Sequence, residues 1–240
     1  VSLRPVNSLP GVKTPYDDVD IVVFRENTQG LYTGMEHEPV DGVVETLRIV
    51  TEEASRRFAR FAFEWCRYAG RRKVHLVHKA SILKLSDGRF LDVANEVAAD
   101  YPYIETHDII TDHLCMELAM DPTRFDVLVM ENLFGDLMSD LCAGLVGGLG
   151  VVPGANIGDK YAVFEAVHGS APDIAGQGKA NPIAIIRSAA MMLNHIGERA
   201  AARRVENAVR TVLEKGETVT ADLGGSASTR QITDAIIAEL

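Results

Sequence analysis

Along the chain, short apolar runs alternate with longer amphipathic stretches. Val19 to Phe24, Val74 to Val77, Thr106 to Ile110 and Val127 to Met130 read as strands. Between them, Thr46 to Ala69 places Ile49, Ala54, Phe58, Phe61, Ala62 and Trp65 along one side of a long helix that Gly70 ends. Arg89 to Ala99 and His113 to Met120 predict two shorter helices. Strands and helices in alternation predict an α/β sheet. Val1 to Asp18 reads as a connection punctuated by Pro and Gly. Thr28 to Gly42, with three glycines and no helical period, reads as a loop or short hairpin.

The strand ends carry the chemistry. The first delivers Arg25-Glu26-Asn27, the second His78-Lys79 and the third Thr111-Asp112. After the fourth, Asn132 to Gly135 breaks the apolar run and a helix begins that carries Asp136 and Asp140. Open α/β sheets place their ligands at the carboxyl ends of strands, so four such endings predict a site. Past Gly150 the pattern changes. Val151 to Lys160 reads as a loop, Tyr161 to Val167 as a short strand, and His168 to Asp173 as a turn-rich loop. Helices are predicted over Pro182 to Ile196, Arg199 to Glu214 and Thr229 to Leu240. Their apolar faces, with Ile183, Ile186, Ala190 and Leu193 on the first, need a sheet to cover. Few strands lie nearby, so the missing ones are expected upstream of Val1.

Composition narrows the partners. The 240 residues suit one large domain or two small ones. Twenty-four basic against 34 acidic residues give −10, which argues against nucleic acid or an anionic membrane as the main partner. No signal peptide or run of membrane-spanning length is present. Cys66, Cys115 and Cys142 share no metal or redox spacing and read as buried thiols of a reducing compartment.

Asp136 and Asp140 stand four apart and project from one helix face. Such a pair destabilises a helix by roughly 0.2–0.5 kcal/mol. A solvated face would tolerate that, and a hard divalent cation shared with a substrate would offset it. Lys79 reads either as a base, if burial or a neighbouring cation lowers its pKa, or as a solvated strand end. Tyr32 is a general acid or a packed loop residue, and His168 a loop ligand. His37, His75, His107, His113 and His195 read as structural or surface groups. Gly144 to Gly150 follows a helix and not a strand, which excludes the dinucleotide-binding fingerprint. No GxSxG, HExxH or Walker A pattern occurs, so hydrolase, zincin and P-loop readings have no support.

Six stretches in order carry a family resemblance: RENTQGLYTG (Arg25 to Gly34), VHKASILK (Val77 to Lys84), Thr111-Asp112, ENLFGDLMSDLCAGLVGGLG (Glu131 to Gly150), VHGSAPDIAG (Val167 to Gly176) and KANP (Lys179 to Pro182). Across essentially its whole length the chain resembles the β-decarboxylating dehydrogenases, which act on isocitrate, isopropylmalate and homoisocitrate. The resemblance implies their two-domain α/β fold. Residues 1–29 and 51–147 would form the small domain for dimerisation, metal and substrate, 30–50 an interlocking clasp, and 148–240 the C-terminal part of the large cofactor-binding domain. The family's first strands, in roughly ninety to a hundred further residues, are expected before Val1. Without them the chain is expected to be inactive.

Residue by residue, Arg4 and Arg25 match the arginines that clamp substrate carboxylates, a task suited to the guanidinium fork. Tyr32 matches the acid that protonates the enol after decarboxylation. Lys79 matches the lysine that serves the neighbouring protomer's site and helps remove the hydroxyl proton. Asp112, also donated by the neighbouring protomer, joins Asp136 and Asp140 around Mg²⁺ or Mn²⁺. His168, Gly169, Ser170, Ala171 and Asn181 match the adenosine-binding segment. Asp173-Ile174 stands where a carboxylate accepts from ribose hydroxyls and repels a 2′-phosphate, which implies NAD. Ser81 departs from the family's usual Asn, so the cofactor-side hydrogen bond made at that position is not carried over.

The implied reaction is NAD-dependent oxidation and decarboxylation of a hydroxy tricarboxylate. Isocitrate is the first expectation, from the texture of RENT, FEAVHG and ETVTADLGG. Homoisocitrate is next. Isopropylmalate follows, because its enzymes usually have Leu where Asn27 stands. A non-catalytic regulatory subunit is the alternative of a different class. A homodimer with shared sites is implied, in the cytoplasm or, for a eukaryote, the mitochondrial matrix.

Overall fold

Strand β1 (Ser2–Asn7) opens the chain where the sequence reads as a connection. Leu3 and Val6 are buried, but Pro5 interrupts the run and leaves it too short to show a period. The computed structural model describes residues 1–240. They form two compact units: Val1–Leu3 with Ile21–Ser139, and Arg4–Asp20 with Asp140–Leu240.

The first unit holds β2 (Asp20–Arg25), the hairpin β3 (Glu36–Val40) and β4 (Val43–Thr46), and helix α1 (Glu52–Ala69). Strand β5 (Lys73–His78), helix α2 (Ser86–Ala98), strand β6 (Glu105–Ile110), helix α3 (Thr111–Met120) and strand β7 (Val127–Met130) follow. Helix α4 (Asn132–Leu145) then runs across the boundary between Ser139 and Asp140. The sheet order is β6-β5-β7-β2, and every pairing is parallel, with Val127 opposite both Val22 and Val74. Strand β7 is buried at all four positions, as a parallel strand covered on both faces must be. This is the α/β class the pattern predicts.

Helix α1 starts at Glu52 and not at Thr46, because the Thr51 side chain accepts the Ala54 N–H and caps the helix there. The residues before it go to β4 and to an antiparallel bridge between Gly30 and Ile49. Gly70, at φ 74°, closes the helix with its N–H on the Cys66 carbonyl. Phe58, Phe63 and Cys66 are among its fully buried residues, while Trp65 stands edge-on to Phe24 of β2 at 5.3 Å. Helix α3 begins at Thr111, so Asp112 lies in a helical first turn and not on a strand end.

In the second unit, β8 (Pro153–Ile157) pairs antiparallel with β9 (Ala162–Ala166), and β1 lies beside β8. The stretch expected as a loop from Val151 to Lys160 therefore contains a strand. It was hidden because Pro153, Gly154 and Asn156 are turn-forming types, yet Pro153 to Ala155 are buried. Helix α5 (Ile183–His195) packs on this pair and on α6 (Arg199–Lys215), and α7 (Thr229–Ala238) packs on α6. The α5 face thus has strands of its own chain to cover. Arg187 is buried on α5 and donates to the Val151 carbonyl at 2.6 Å and to Asn7 Oδ1 at 2.8 Å, with Glu206 of α6 at 3.2 Å. All three partners share one guanidinium, which satisfies the charge that burial would otherwise penalise.

On β5, His75 is buried against Phe125, 4.9 Å away, and stacked on His107 at 5.5 Å. Burial, reinforced by Lys73 and His107, pushes its imidazole down to about 4 from 6.5. Between those values the unfolded chain binds the extra proton, so stability should rise with pH across that window and fall on acidification. His75→Phe should flatten the rise, read as the difference in unfolding midpoint between about pH 4.5 and about pH 7.

Candidate active site

Helix α4 begins where the buried run of β7 meets Glu131-Asn132. The Glu131 carboxylate accepts the Phe134 N–H at 3.2 Å and so caps the first turn. Gly135 is required there, because a Cβ would lie 2.5 Å from Cβ and Cγ of Arg25. That gap lets the Arg25 side chain, buried at the end of β2, lie along the turn. Its Nε donates to Asn132 Oδ1 at 2.9 Å and its Nη1 pairs with Asp136.

Tyr32 sits in a 3-10 turn, Leu31–Thr33, between Gly30 at φ 90° and Gly34 at φ 65°. Its hydroxyl donates to Asp136 Oδ2 at 2.5 Å, and the Arg25 guanidinium lies 4.8 Å from its ring centroid. Asp136 lifts the phenol above its ordinary value, first through that hydrogen bond. Three of the residues singled out in the sequence, Arg25, Tyr32 and Asp136, are therefore in mutual contact.

Lys79 and Asp112 form a second pair, ammonium on carboxylate. The lysine is anchored through its backbone: its N–H donates to buried Asp87 Oδ2 at 2.6 Å, and its carbonyl accepts from Ile82 and Leu83. On either side, the Ala80 N–H donates to His78 Nδ1 at 3.0 Å and Thr111 Oγ1 donates to the His78 carbonyl at 3.1 Å. His78 consequently carries its proton on Nε2, 3.2 Å from Asp108. The exposed Asp112 carboxyl is held below its usual range, chiefly by Lys79.

In the second unit, Arg4 of β1 lies 3.7 Å from Asp140, one turn beyond Asp136 on α4. The same unit holds a cavity of about 630 Å³ lined by His168, Gly169, Ser170, Ala171, Ile174 and Asn181, among others. Ala171 takes φ 44°, a left-handed conformation that non-glycine residues adopt at a cost and that recurs at ligand loops. Buried Asn181 is locked at both ends of its amide, with Nδ2 donating to Asp222 at 2.9 Å and Oδ1 accepting the Ile183 N–H at 3.0 Å. Asp173 is exposed on the adjoining 3-10 turn, Pro172–Ile174, outside the lining, and its carbonyl accepts from Gln177 at 2.7 Å.

Lys179, Asp222 and Gly150 also line the cavity; Lys179 and Gly150 lie in two of the motif stretches, and Asp222 lies in none. Asp222 carries no spacing signal, since its partner Asn181 is 41 residues away. Within the chain, no group of three His, Cys, Asp or Glu side chains is placed to hold a metal ion. The two α4 carboxylates offer hard oxygen donors and need a further one from elsewhere.

The family model for isocitrate/isopropylmalate dehydrogenase matches residues 1–236. The chain is 52% identical over 236 residues to a mitochondrial NAD isocitrate dehydrogenase of Arabidopsis thaliana named as catalytic, covering 98% of this chain and 63% of that protein. It is 49% identical over 240 residues to a mitochondrial NAD isocitrate dehydrogenase of Dictyostelium discoideum named as regulatory, covering 100% of this chain and 68% of that one. The crystal structure of isocitrate dehydrogenase from Methylococcus capsulatus superposes with a TM-score of 0.96 at 52% identity, over 99% of this chain and 72% of the other. The chain thus spans about two thirds of the length of the curated relatives it matches.

Gly135→Ala should be the sharpest single test of the Arg25 channel. Forcing a methyl against the Arg25 stem should cost about 1–3 kcal/mol by overpacking, read by denaturant unfolding, and Gly144→Ala on the same helix, where a Cβ meets nothing, should not.

Proposed function

Because the chain belongs to the isocitrate/isopropylmalate dehydrogenase family, we propose that the full-length protein oxidises isocitrate with NAD⁺ and releases the β-carboxylate as CO₂, giving 2-oxoglutarate. The observation that carries this reading is the contact of Arg25, Tyr32 and Asp136 at one helix start. It combines a carboxylate-binding fork, a phenolic acid and a metal-type carboxylate, the groups such a reaction needs.

In this reading Arg25 and Arg4 bind substrate carboxylates. A second copy of the chain brings Lys79 to assist removal of the hydroxyl proton as the C2 hydride passes to NAD⁺. The bond to the β-carboxylate then breaks, CO₂ leaves with the bonding electrons staying on carbon, and Tyr32 donates its proton to that carbon. Asp136 and Asp140, with Asp112 from the second copy, would hold Mg²⁺ or Mn²⁺. When bound, the ion supplies Lewis acidity that favours loss of the hydroxyl proton and draws charge toward the ketone oxygen. The cavity at His168 to Ala171 and Asn181 takes the adenosine of NAD, and Asp173 disfavours a 2′-phosphate. Homoisocitrate and isopropylmalate are the alternative substrates.

The proposed assembly is a homodimer clasped through residues 30–50, and the exposed Val40, Val43 and Val44 of the β3–β4 hairpin suit such a contact. The names of the curated relatives say mitochondrial, so for a eukaryotic source the matrix is the compartment proposed, and the cytoplasm otherwise. A second reading, in which the chain regulates and does not catalyse, draws on the name of the Dictyostelium relative. Against it stand Tyr32, Lys79, Asp112, Asp136 and Asp140, all intact.

Full-length protein with isocitrate, NAD⁺ and Mg²⁺ should form NADH, and Asp136→Asn should lose at least about two orders of magnitude in kcat/KM. No NADH with any of the three hydroxy acids would refute catalysis and leave the regulatory reading. Mixed dimers of Lys79→Ala and Asp136→Asn chains should regain activity at one of their two sites, and uniformly inactive mixtures would exclude the shared site.

A further inference from the structure

Behind Lys79 lies a buried cluster of charge that the proposed chemistry does not use. The side chains of Arg48, Asp87 and Glu131 are 11%, 0% and 6% exposed. Arg48 Nη2 is paired with Asp87 Oδ1 and lies 3.1 Å from Glu131 Oε1, and its guanidinium stands 5.3 Å from the Phe134 ring centroid. Each carboxylate has a second task. Asp87 Oδ2 accepts the Lys79 backbone N–H at 2.6 Å, and Glu131 Oε1 accepts the Phe134 N–H in the first turn of α4. One guanidinium therefore links the residue that follows β5 to the turn that presents Asp136.

We propose that Arg48 is a positioning residue, holding Lys79 and the first turn of α4 in place through Asp87 and Glu131. The inference rests on the functional reading above, in which Lys79 and Asp136 act. Two buried carboxylates facing one cation leave a net negative charge. Glu131 Oε2 has no hydrogen-bond partner, and burial raises the Glu131 carboxyl above its usual range against the pull of Arg48. Without Arg48, two like charges would share a buried site, and one must take a proton or draw in water. Either outcome loosens Asp87, whose other oxygen fixes the backbone of Lys79. A lysine displaced by about an ångström loses up to roughly a hundredfold in rate without losing its own chemistry. The contacts of Arg48 run to the two acids and the Phe134 ring, and its effect on Lys79 and Asp136 travels through those acids.

The test uses full-length protein. Arg48→Met keeps an unbranched side chain and removes the charge. It should lower kcat roughly ten- to hundredfold while KM for the hydroxy acid changes less than about threefold. Hydrogen exchange of the peptide spanning residues 79–83 should quicken, with exchange in the 153–157 strand of the other unit unchanged. Arg48→Lys, which keeps the charge, should restore most of the unfolding midpoint but only part of kcat, since its ammonium lacks the planar face that lies over Phe134 and would meet the two acids in a different geometry. Unchanged kcat, or a loss of rate with exchange in 79–83 unaltered, would overturn the proposal. So would full recovery of kcat by Arg48→Lys in step with stability. Lys79→Ala is the control that separates the two ideas: if it keeps wild-type activity, the functional reading fails, whatever Arg48→Met does to exchange.

Discussion

Two carboxylates one turn apart on a helix repel each other by roughly 0.2–0.5 kcal/mol, and positive charge brought to meet them offsets that cost. On α4, Asp136 is met by Arg25 from the end of β2 and Asp140 by Arg4 from β1. Much of the local architecture follows from that requirement. Gly135 must lack a side chain so that the Arg25 stem can pass, and Asn132 must accept from its Nε to aim the fork. Tyr32 reaches Asp136 only because Gly30 and Gly34 permit the tight turn that carries it. The unit boundary itself falls on this helix, between the two acids.

A parallel sheet makes such a gathering inexpensive. Strands β2, β5 and β7 run the same way, so their carboxyl ends emerge on one edge with Arg25, Lys79 and the start of α4. The strands are apolar and rigid, and the polar groups sit on the turns beyond them, where the backbone is free to bend. The second unit solves a different problem. Its cavity wall is built largely of small residues, and it includes a left-handed alanine at position 171 and an asparagine whose amide is pinned at both ends. A wall of that kind presents backbone and shape to a ligand, with few long side chains in the way.

Buried cations recur as organising centres, and they are the features least visible in advance. Arg187 gathers β1, the turn before β8 and α6 in one unit, while Arg48 gathers Asp87 and Glu131 in the other. In the linear pattern both arginines look like solvated positions on a helix or loop. The partners of Arg187 alone stand between 19 and 180 residues away, so no local spacing announces them. Asp222 is the same case, a carboxylate far along the chain that proves to hold Asn181. His75, by contrast, read as structural or surface, and its burial inside an apolar strand makes it structural.

From β2 to α4, the β3–β4 hairpin apart, strand and helix identity was determined by the sequence alone, because apolar periods of two and 3.6 are local properties. The positions of Arg25 and Lys79 at strand ends, and of Asp136 and Asp140 on the helix after β7, follow from the same pattern. The motif stretches carried the family. Strands β1 and β8 escaped because Pro5, Pro153 and Gly154 speak for turns, and only burial of Leu3, Val6 and Ala155 overrides that local preference. Which charges meet is likewise a tertiary decision. An ion pair between different elements is set by the distance between side chains after folding, and sequence separation carries almost no information about it. The same chain that displays Asp136 and Asp140 at a spacing of four brings Arg25, Arg4 and Tyr32 to them only once the backbone has folded.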